Sequence, residues 1–256
     1  MMVSKLSTFF REVRNDGIKY FLEFPDSKCS ILDNDPQVFE IGPEEFLEYA
    51  IRDFEVGDNR GFINALTNVK RAIECQSDII HYSLGIPYEK LNFPTKIDNI
   101  QKMGISPSVI LKHINNIRVD LEHFYKIPDL NRVEDAIQIA DLFLSVTTLT
   151  LNNFWDSFNI LNIDGEKRYI LQERDESSGL GFRFINDGVS IYYSDEPGSH
   201  EFSLTYFKNG EEMKKITIKS DEGDDYLNVI GLSVLIGKTH NYDGERIFQR
   251  FLSKII

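Results

Sequence analysis

The chain has little of what catalytic motifs are commonly built from. Among 256 residues there are two cysteines, Cys29 and Cys75. That is too few for a disulfide framework, and neither stands in a C-x-x-C or Cys/His arrangement of the kind that holds zinc. Both are read as reduced thiols. The five histidines, His81, His113, His123, His200 and His240, form no close ligand run, so no metal site is expected. P-loop, G-x-G-x-x-G, G-x-S-x-G and H-E-x-x-H motifs are absent, which removes several large enzyme classes. No segment reaches the ~18 consecutive apolar residues of a membrane span. The opening stretch MMVSKLSTFFREVRND offers only a short apolar patch with charges after it. A cytoplasmic location with no membrane contact is expected.

Positive charge is also in deficit. Twenty-eight basic residues face 41 acidic ones, for a formal net charge of -13. The molecule as a whole repels polyanions at long range, so stand-alone DNA binding is disfavoured and any contact with RNA has to be local. A basic pocket could still grip phosphate, or a partner could deliver the substrate. Hydrophobic content of 41% beside 27% charged residues is ordinary for a globular protein and excludes wholesale disorder. The length allows one large domain or two small ones, and two are expected.

The pattern changes near residue 162, with a helical period before it and a strand period in much of the remaining chain. The expected fold class is α+β: an antiparallel helical bundle, then a small antiparallel sheet domain with one or two helices. Residues 1–42 are left unassigned, 43–162 form the bundle and 163–256 the β-rich domain. In the first segment Ser7 to Leu22 suits a helix, whereas Pro25, Asp26, Asp33, Asn34, Asp35 and Pro36 break any long element.

Start signals mark the helices. Pro43 with Glu44 and Glu45 opens one that ends near Gly57. A long one spans Asn59 to Gly85, on the recurrence of Phe62, Ala65, Leu66, Val69, Ala72, Ile73 and Ile80. A short one covers Lys96 to Met103. Ser106 stands as N-cap and Pro107 as first residue of the next, which carries Ile110, Ile114, Ile117, Leu121 and Phe124 and stops before Pro128. Asn131 with Glu134 resembles a capping box for a last helix that is expected to run on to Trp155.

Beyond Asp164-Gly165, five strands are read at Tyr169/Leu171, Phe182/Phe184, Val189/Ile191, Phe202/Leu204/Tyr206 and Ile216/Ile218. Asp187-Gly188 and Asn209-Gly210 are tight-hairpin signals, so a meander is expected. Asp221, Glu222, Asp224 and Asp225 precede the apolar run YLNVIGLSVLIG, which reads as a helix over one sheet face.

One stretch carries chemistry. In INNIRVDLEHFYKIP, Arg118 and His123 lie on one helical segment. Arg118-Val119-Asp120-Leu121-Glu122-His123 resembles the R-x4-6-H motif of the HEPN superfamily, helical domains many of whose members are ribonucleases. The surroundings resemble it as well. A long helix carries Asn68-Val69-Lys70-Arg71-Ala72-Ile73-Glu74, a tyrosine and proline come after the histidine at Tyr125 and Pro128, and Val133 to Leu144 suits the closing helix. The similarity covers about residues 58–150.

The resemblance implies a metal-independent and cofactor-independent endoribonuclease. The 2′-hydroxyl of its RNA substrate would attack the adjacent phosphate while His123 transfers a proton and Arg118 holds the oxyanion. It also implies a homodimer, since five residues at 100° each leave the pair about 140° apart on an ideal helix and one helix makes a poor site alone. Toxin or antiviral-defence roles, with an antitoxin or regulatory protein as partner, belong to the same expectation. Asn115, Asn116 and Tyr125 are weaker candidates for substrate contact. Active family members usually place a polar residue after the arginine, where this chain has Val119. A non-catalytic interaction module is therefore the alternative, and on that reading Arg118 simply pairs with Glu122 on the helix surface. A small-molecule sensor using the sheet domain has no positive signal.

Overall fold

The computed structural model describes residues 4–15, 20–22, 27–29, 39–107, 110, 116, 130–162, 188–194, 200–238 and 244–255. They form two compact units in an α+β fold. Ser30–Phe154 makes a helical unit, and Met1–Cys29 joins Trp155–Ile256 in a second, sheet-containing unit.

In the helical unit, α2 (Pro43–Glu55) and α3 (Asn59–Ser83) are joined by a short turn; α1 (Lys5–Asn15) belongs to the other unit. The expected start of α2 is there, with Pro43 in the first turn beside Glu44 and Glu45. Asp58 caps α3 by accepting from the Gly61 amide at 2.7 Å, and Gly85, at φ +65°, ends it. Its last carbonyls are taken up by Gly85 N–H to Tyr82 O at 2.9 Å and Ile86 N–H to His81 O at 2.8 Å, the bonding of a left-handed cap. A 3₁₀ turn (Tyr88–Lys90) leads to α4 (Phe93–Lys102). That helix starts three residues earlier than expected, because Asn92 caps it by accepting from the Thr95 amide at 3.0 Å. Gly104, at φ +67°, closes it.

The closing helix α5 (Leu130–Leu151) departs from expectation at both ends. Asn131 lies inside it and is not its cap. At the other end the helix stops at Leu151 instead of reaching Trp155. Asn153 Nδ2 donates to the Leu149 carbonyl at 2.7 Å, satisfying an acceptor the last turn leaves open, and the aromatic residues Phe154 and Trp155 then start a strand. Because α3 packs against α2, α4 and α5, its face of Ala65, Leu66, Val69, Ala72, Ile73 and Ile80 is the centre of this core. The small residues Ala136 and Ala140 of α5 are fully buried as well.

The sheet unit draws on both ends of the chain. Its strands are β1 (Tyr20–Leu22), β2 (Ser27–Cys29), β3 (Phe154–Asn162), β4 (Gly188–Ser194), β5 (Glu201–Lys208) and β6 (Glu211–Lys219). They run in the order β1-β3-β4-β5-β6, with β2 also paired to β3. The long strands form the expected antiparallel meander, and the boundary lies at Phe154/Trp155, ahead of residue 162. Phe158↔Ile191, Ile191↔Leu204 and Leu204↔Ile216 align across one face. Of these, Phe158, Ile191 and Leu204 are fully buried. The turn at Asn209 (φ +54°) and Gly210 (φ +78°) has the positive φ at both central positions that its sequence calls for. The strand readings at Tyr169/Leu171 and Phe182/Phe184, and Asp187 of the other hairpin signal, lie outside the described residues.

Among the described residues three helices belong to this unit: α1 (Lys5–Asn15), α6 (Asp224–Lys238) and α7 (Gly244–Ile255). Helix α6 confirms the reading of the acidic run and its apolar continuation. Residues Leu6, Phe9, Phe10 and Val13 of α1 are fully buried, and Phe10 meets Phe251 of α7 edge-on at 5.9 Å. The start of α1 is tied to α6 and the turn before it: Ser4 Oγ donates to Asp225 at 2.5 Å, the Leu6 amide donates to the same carboxylate at 3.3 Å, and Lys5 pairs with Glu222, ahead of the helix, at 2.6 Å. Glu12 pairs with Lys214 of β6.

Helices α2 and α3 approach closely at Gly61. A Cβ there would sit 2.4 Å from the Asp53 carbonyl oxygen and 3.0 Å from Val56 Cβ. Gly61→Ala must push α2 off α3 and is expected to cost about 1–3 kcal/mol of unfolding free energy in urea titrations. A variant as stable as wild type would show that the α2–α3 approach is not held at this contact.

Candidate functional site

Of the residues singled out from sequence, Arg118, His123, Asn115 and Tyr125 lie outside the described residues. Asn116 is in helical backbone and exposed. Upstream, Ile110 is helical and buried. Ser106 is buried, and its Oγ has no hydrogen-bond partner among the described residues; the amides of Ser108 and Val109 that an N-cap there would bond lie outside them.

The flanking parts of the HEPN-like pattern are described, and they share one unit. Along Asn68–Glu74 of α3, Val69, Ala72 and Ile73 are buried in the core while Arg71 is exposed. Lys70 lies 3.8 Å from Glu74, and Asn68 Nδ2 donates to Asp53 of α2 at 2.8 Å. Helix α5, which contains Val133 to Leu144, packs on α3. Inside that contact Gln76 Nε2 donates to Thr147 Oγ1 at 2.8 Å, and the Thr147 hydroxyl passes a bond to the Phe143 carbonyl at 2.8 Å.

Two clusters of polar side chains are brought together that the sequence did not announce. The first links α3 to α4. His81 is fully buried; its Nδ1 lies 2.7 Å from the Ser77 carbonyl and its Nε2 3.3 Å from Asn99 Nδ2. A carbonyl only accepts, so Nδ1 carries the proton and Nε2 receives the amide N–H. Both ring nitrogens are used, which leaves His81 no lone pair for a substrate. Burial holds its pKa down to about 4 against an ordinary 6.5, with Lys96 adding to the effect and the Ser77 bond opposing it. Beside it Lys96 pairs with Asp78 and lies 5.6 Å from the centre of the Tyr88 ring. Burial raises the Asp78 carboxyl and Lys96 opposes that rise. Phe39, Tyr82 and Tyr88 are in mutual ring contact at centroid separations of 5.9–6.3 Å.

The second cluster lies in the sheet unit, where Tyr193 Oη is 2.9 Å from His200 Nδ1. Burial and a hydrogen bond to Tyr193 both raise the pKa of Tyr226, which is fully buried on α6. His81 and His200 each look like a lone histidine in the sequence. Only the α3–α4 crossing and the β4–β5 register give them partners, and no spacing rule reports either.

Nucleophilic chemistry at Cys75 is disfavoured. The free thiol sits 3.5 Å from the Ile41 carbonyl, and burial with nearby Asp78 and Glu44 pushes its pKa to about 11, away from the reactive thiolate. Among the described residues no group of three or more His, Cys, Asp and Glu could hold a metal ion, and no helix is long and apolar enough to cross a membrane.

The chain matches no family model, no curated protein and no solved structure. Function therefore has to be argued from its own residues.

His81 also ties stability to pH. Its folded pKa of about 4 lies below the ordinary 6.5, so between these values the unfolded chain binds the extra proton. This contribution is complete above about pH 6.5, declines as pH falls, and is lost below about pH 4. The depression corresponds to roughly 3 kcal/mol. Urea titrations from neutral to acid pH should show wild type losing stability over that window, and His81→Gln should lack that component. Identical pH slopes for the two proteins would contradict it.

Proposed function

We propose that this chain is a HEPN-type, metal-independent endoribonuclease, a toxin or antiviral-defence effector of the cytoplasm. The 2′-hydroxyl of one nucleotide attacks the adjacent phosphate, a cyclic phosphate forms, and the bond to the next 5′-oxygen breaks. His123 transfers the proton and Arg118 stabilises the charge on the phosphoryl oxygens. Two copies complete the site on this reading, because a spacing of five residues would set Arg118 and His123 about 140° apart on an ideal helix. The sheet unit then governs recognition or assembly, and an antitoxin or regulatory protein restrains the activity.

The observation that carries this reading is the ordered setting of the motif. Asn68–Glu74 and Val133–Leu144, the segments that flank it in the pattern, occupy α3 and α5 of one helical unit. These helices pack on each other and share the buried Gln76–Thr147 bond.

The second reading is a HEPN-type module that associates without cutting RNA. It draws on Val119, on the net charge of -13, and on apolar side chains that α5 leaves exposed, Leu142 and Leu149.

The two part on one experiment: wild type, Arg118→Ala and His123→Ala are compared for growth arrest on expression and for RNA cleavage in the presence of chelator. Each substitution is expected to reduce cleavage by about 100–1000-fold, the effect of losing one donor to a developing oxyanion. The products should end in cyclic phosphate and 5′-hydroxyl. Equal activity in all three proteins would overturn the ribonuclease reading.

A further inference from the structure

Strand β6 is an edge of the sheet. Among the described residues β5 is its one neighbour, while β1, at the opposite edge, is only three residues long. The β5–β6 pairing fixes which main-chain groups of that edge are already bonded. Ser220 N–H donates to the His200 carbonyl at 3.0 Å, and the ladder runs without a shift from Glu201↔Lys219 to Tyr206↔Lys214. Bonded and non-bonded pairs alternate along an antiparallel ladder. Lys214, Ile216 and Ile218 therefore direct their N–H and C=O groups to β5, and Lys215, Thr217 and Lys219 direct theirs outward. The Lys219 carbonyl accepts from the Glu222 amide at 2.9 Å. The remaining outward groups, N–H and C=O of Lys215 and Thr217 and the N–H of Lys219, have no main-chain partner among the described residues. A bulge at Met213, where Tyr206↔Lys214 gives way to Phe207↔Glu212, ends this straight run.

Side chains beside this row carry a pattern. Ile216 and Ile218 stand opposite Leu204 and Phe202 on the core face, with Ile216 half-buried. Lys215, Thr217 and Lys219 alternate onto the other face, and both lysines are exposed. Glu201 lies across from Lys219, but Lys215 faces only Thr205. Such a positive edge is unlike the rest of a chain with net charge -13.

We infer that this edge takes an extended segment of a partner protein as an added antiparallel strand, a segment that reads acidic, apolar, polar, apolar, acidic. Its alternate main-chain groups bond those of Lys215, Thr217 and Lys219. Residues directly opposite each other come within ~4.5–5.5 Å at Cβ, so the two carboxylates meet the two lysines. The two apolar residues extend the core face beside Ile216 and Ile218. Main-chain bonds hold such a strand, and alternate side chains select it. Lysines on an edge ordinarily oppose pairing; these exclude neutral and basic strands and admit an acidic one. They exclude a second copy as well, because two β6 edges paired about Thr217 would set Lys215 of each against Lys219 of the other, like charge facing like. On the proposed reading the segment belongs to the regulatory partner, and the inference rests on that reading only for what its occupant does.

A synthetic capped peptide with the core Asp-Val-Thr-Val-Glu, added to the isotope-labelled full chain at up to about 1 mM, tests it by NMR hydrogen exchange, since even a weak complex forms at that concentration. The amides of Lys215, Thr217 and Lys219 are expected to gain protection, while those of Ile216 and Ile218, already in the ladder, stay as they are. A Lys-Val-Thr-Val-Lys peptide is expected to bind at least ~10-fold more weakly, and Lys215→Glu to weaken binding of the acidic peptide by a similar factor. Thr217→Pro removes an outward N–H and leaves the bonds to β5 in place, a position where an edge strand accepts proline; it should abolish the protection. Circular-dichroism melts check folding, and if Thr217→Pro does not fold, Lys215→Glu at its exposed position decides. No protection at the highest peptide concentration, equal binding of the two peptides, or wild-type binding by Lys215→Glu overturns the inference. So does self-association in sedimentation velocity that Lys215→Glu alters, because a second copy then occupies the edge. None of these outcomes touches the ribonuclease reading, which Arg118→Ala and His123→Ala decide on cleavage, and loss of that reading leaves the peptide result standing.

Discussion

The pairing of Tyr20–Leu22 with Ile160–Asn162 is the constraint on which the chain's organisation depends. It joins strands separated by more than a hundred residues and makes the two ends of the chain one unit. The helical unit is thereby an insertion, entered after β2 and left just before Trp155. Closing so long a loop is tolerable because the entropic cost rises only by ~0.6 kcal/mol per doubling of length, and the inserted segment has a core of its own. Helix α1 reinforces the closure. Its four buried apolar side chains and its polar ties from Ser4, Lys5 and Glu12 to α6, the turn before it and β6 make it part of the sheet unit's core.

Inside the helical unit the same logic recurs around α3. It meets α2 at a position where only glycine fits, α4 through His81 and Asn99, and α5 through Gln76 and Thr147. Apolar burial drives these contacts, but it is indifferent to small slips along a helix. Buried hydrogen bonds are not, because a displaced donor or acceptor is left unsatisfied at about 1–3 kcal/mol. The two hydrogen-bonded joints therefore fix the axial positions of α4 and α5 on α3, and the close approach at Gly61 fixes that of α2. His81 belongs to this set as a structural residue, neutral and enclosed.

Helices and strands with strong periods are legible in the sequence. The positions of α2, α3 and α6, the strands containing Val189/Ile191, Phe202/Leu204/Tyr206 and Ile216/Ile218, and the Asn209-Gly210 turn all follow from local chemistry. Errors concentrate where local and tertiary preferences compete. LSVTTLTLNNFWDSF has helical spacing in its first half, and nothing local says that Phe154 and Trp155 will instead open the strand that pairs with β4. Residues 1–42 resist reading because β1 is three residues long and is recognisable only through its partner. Of the site, the sequence supplies the motif and its setting. It cannot supply His81–Asn99 or Tyr193–His200, which exist only because separate elements cross or pair.

Charge constrains any function the fold performs. With a net -13, approach of a polyanion is opposed at distances where charges are unscreened. At physiological ionic strength the field of distant carboxylates fades within ~8 Å, whereas a guanidinium fork touching a phosphate acts at contact range and is screened much less. An acidic chain can therefore work on RNA only through a few close contacts, with little of the counterion release that lets basic proteins hold nucleic acid indiscriminately. Such a protein would be idle toward bulk RNA and dependent on a presented or locally unpaired substrate. On the ribonuclease reading proposed above, that electrostatic reserve would act as a first level of control.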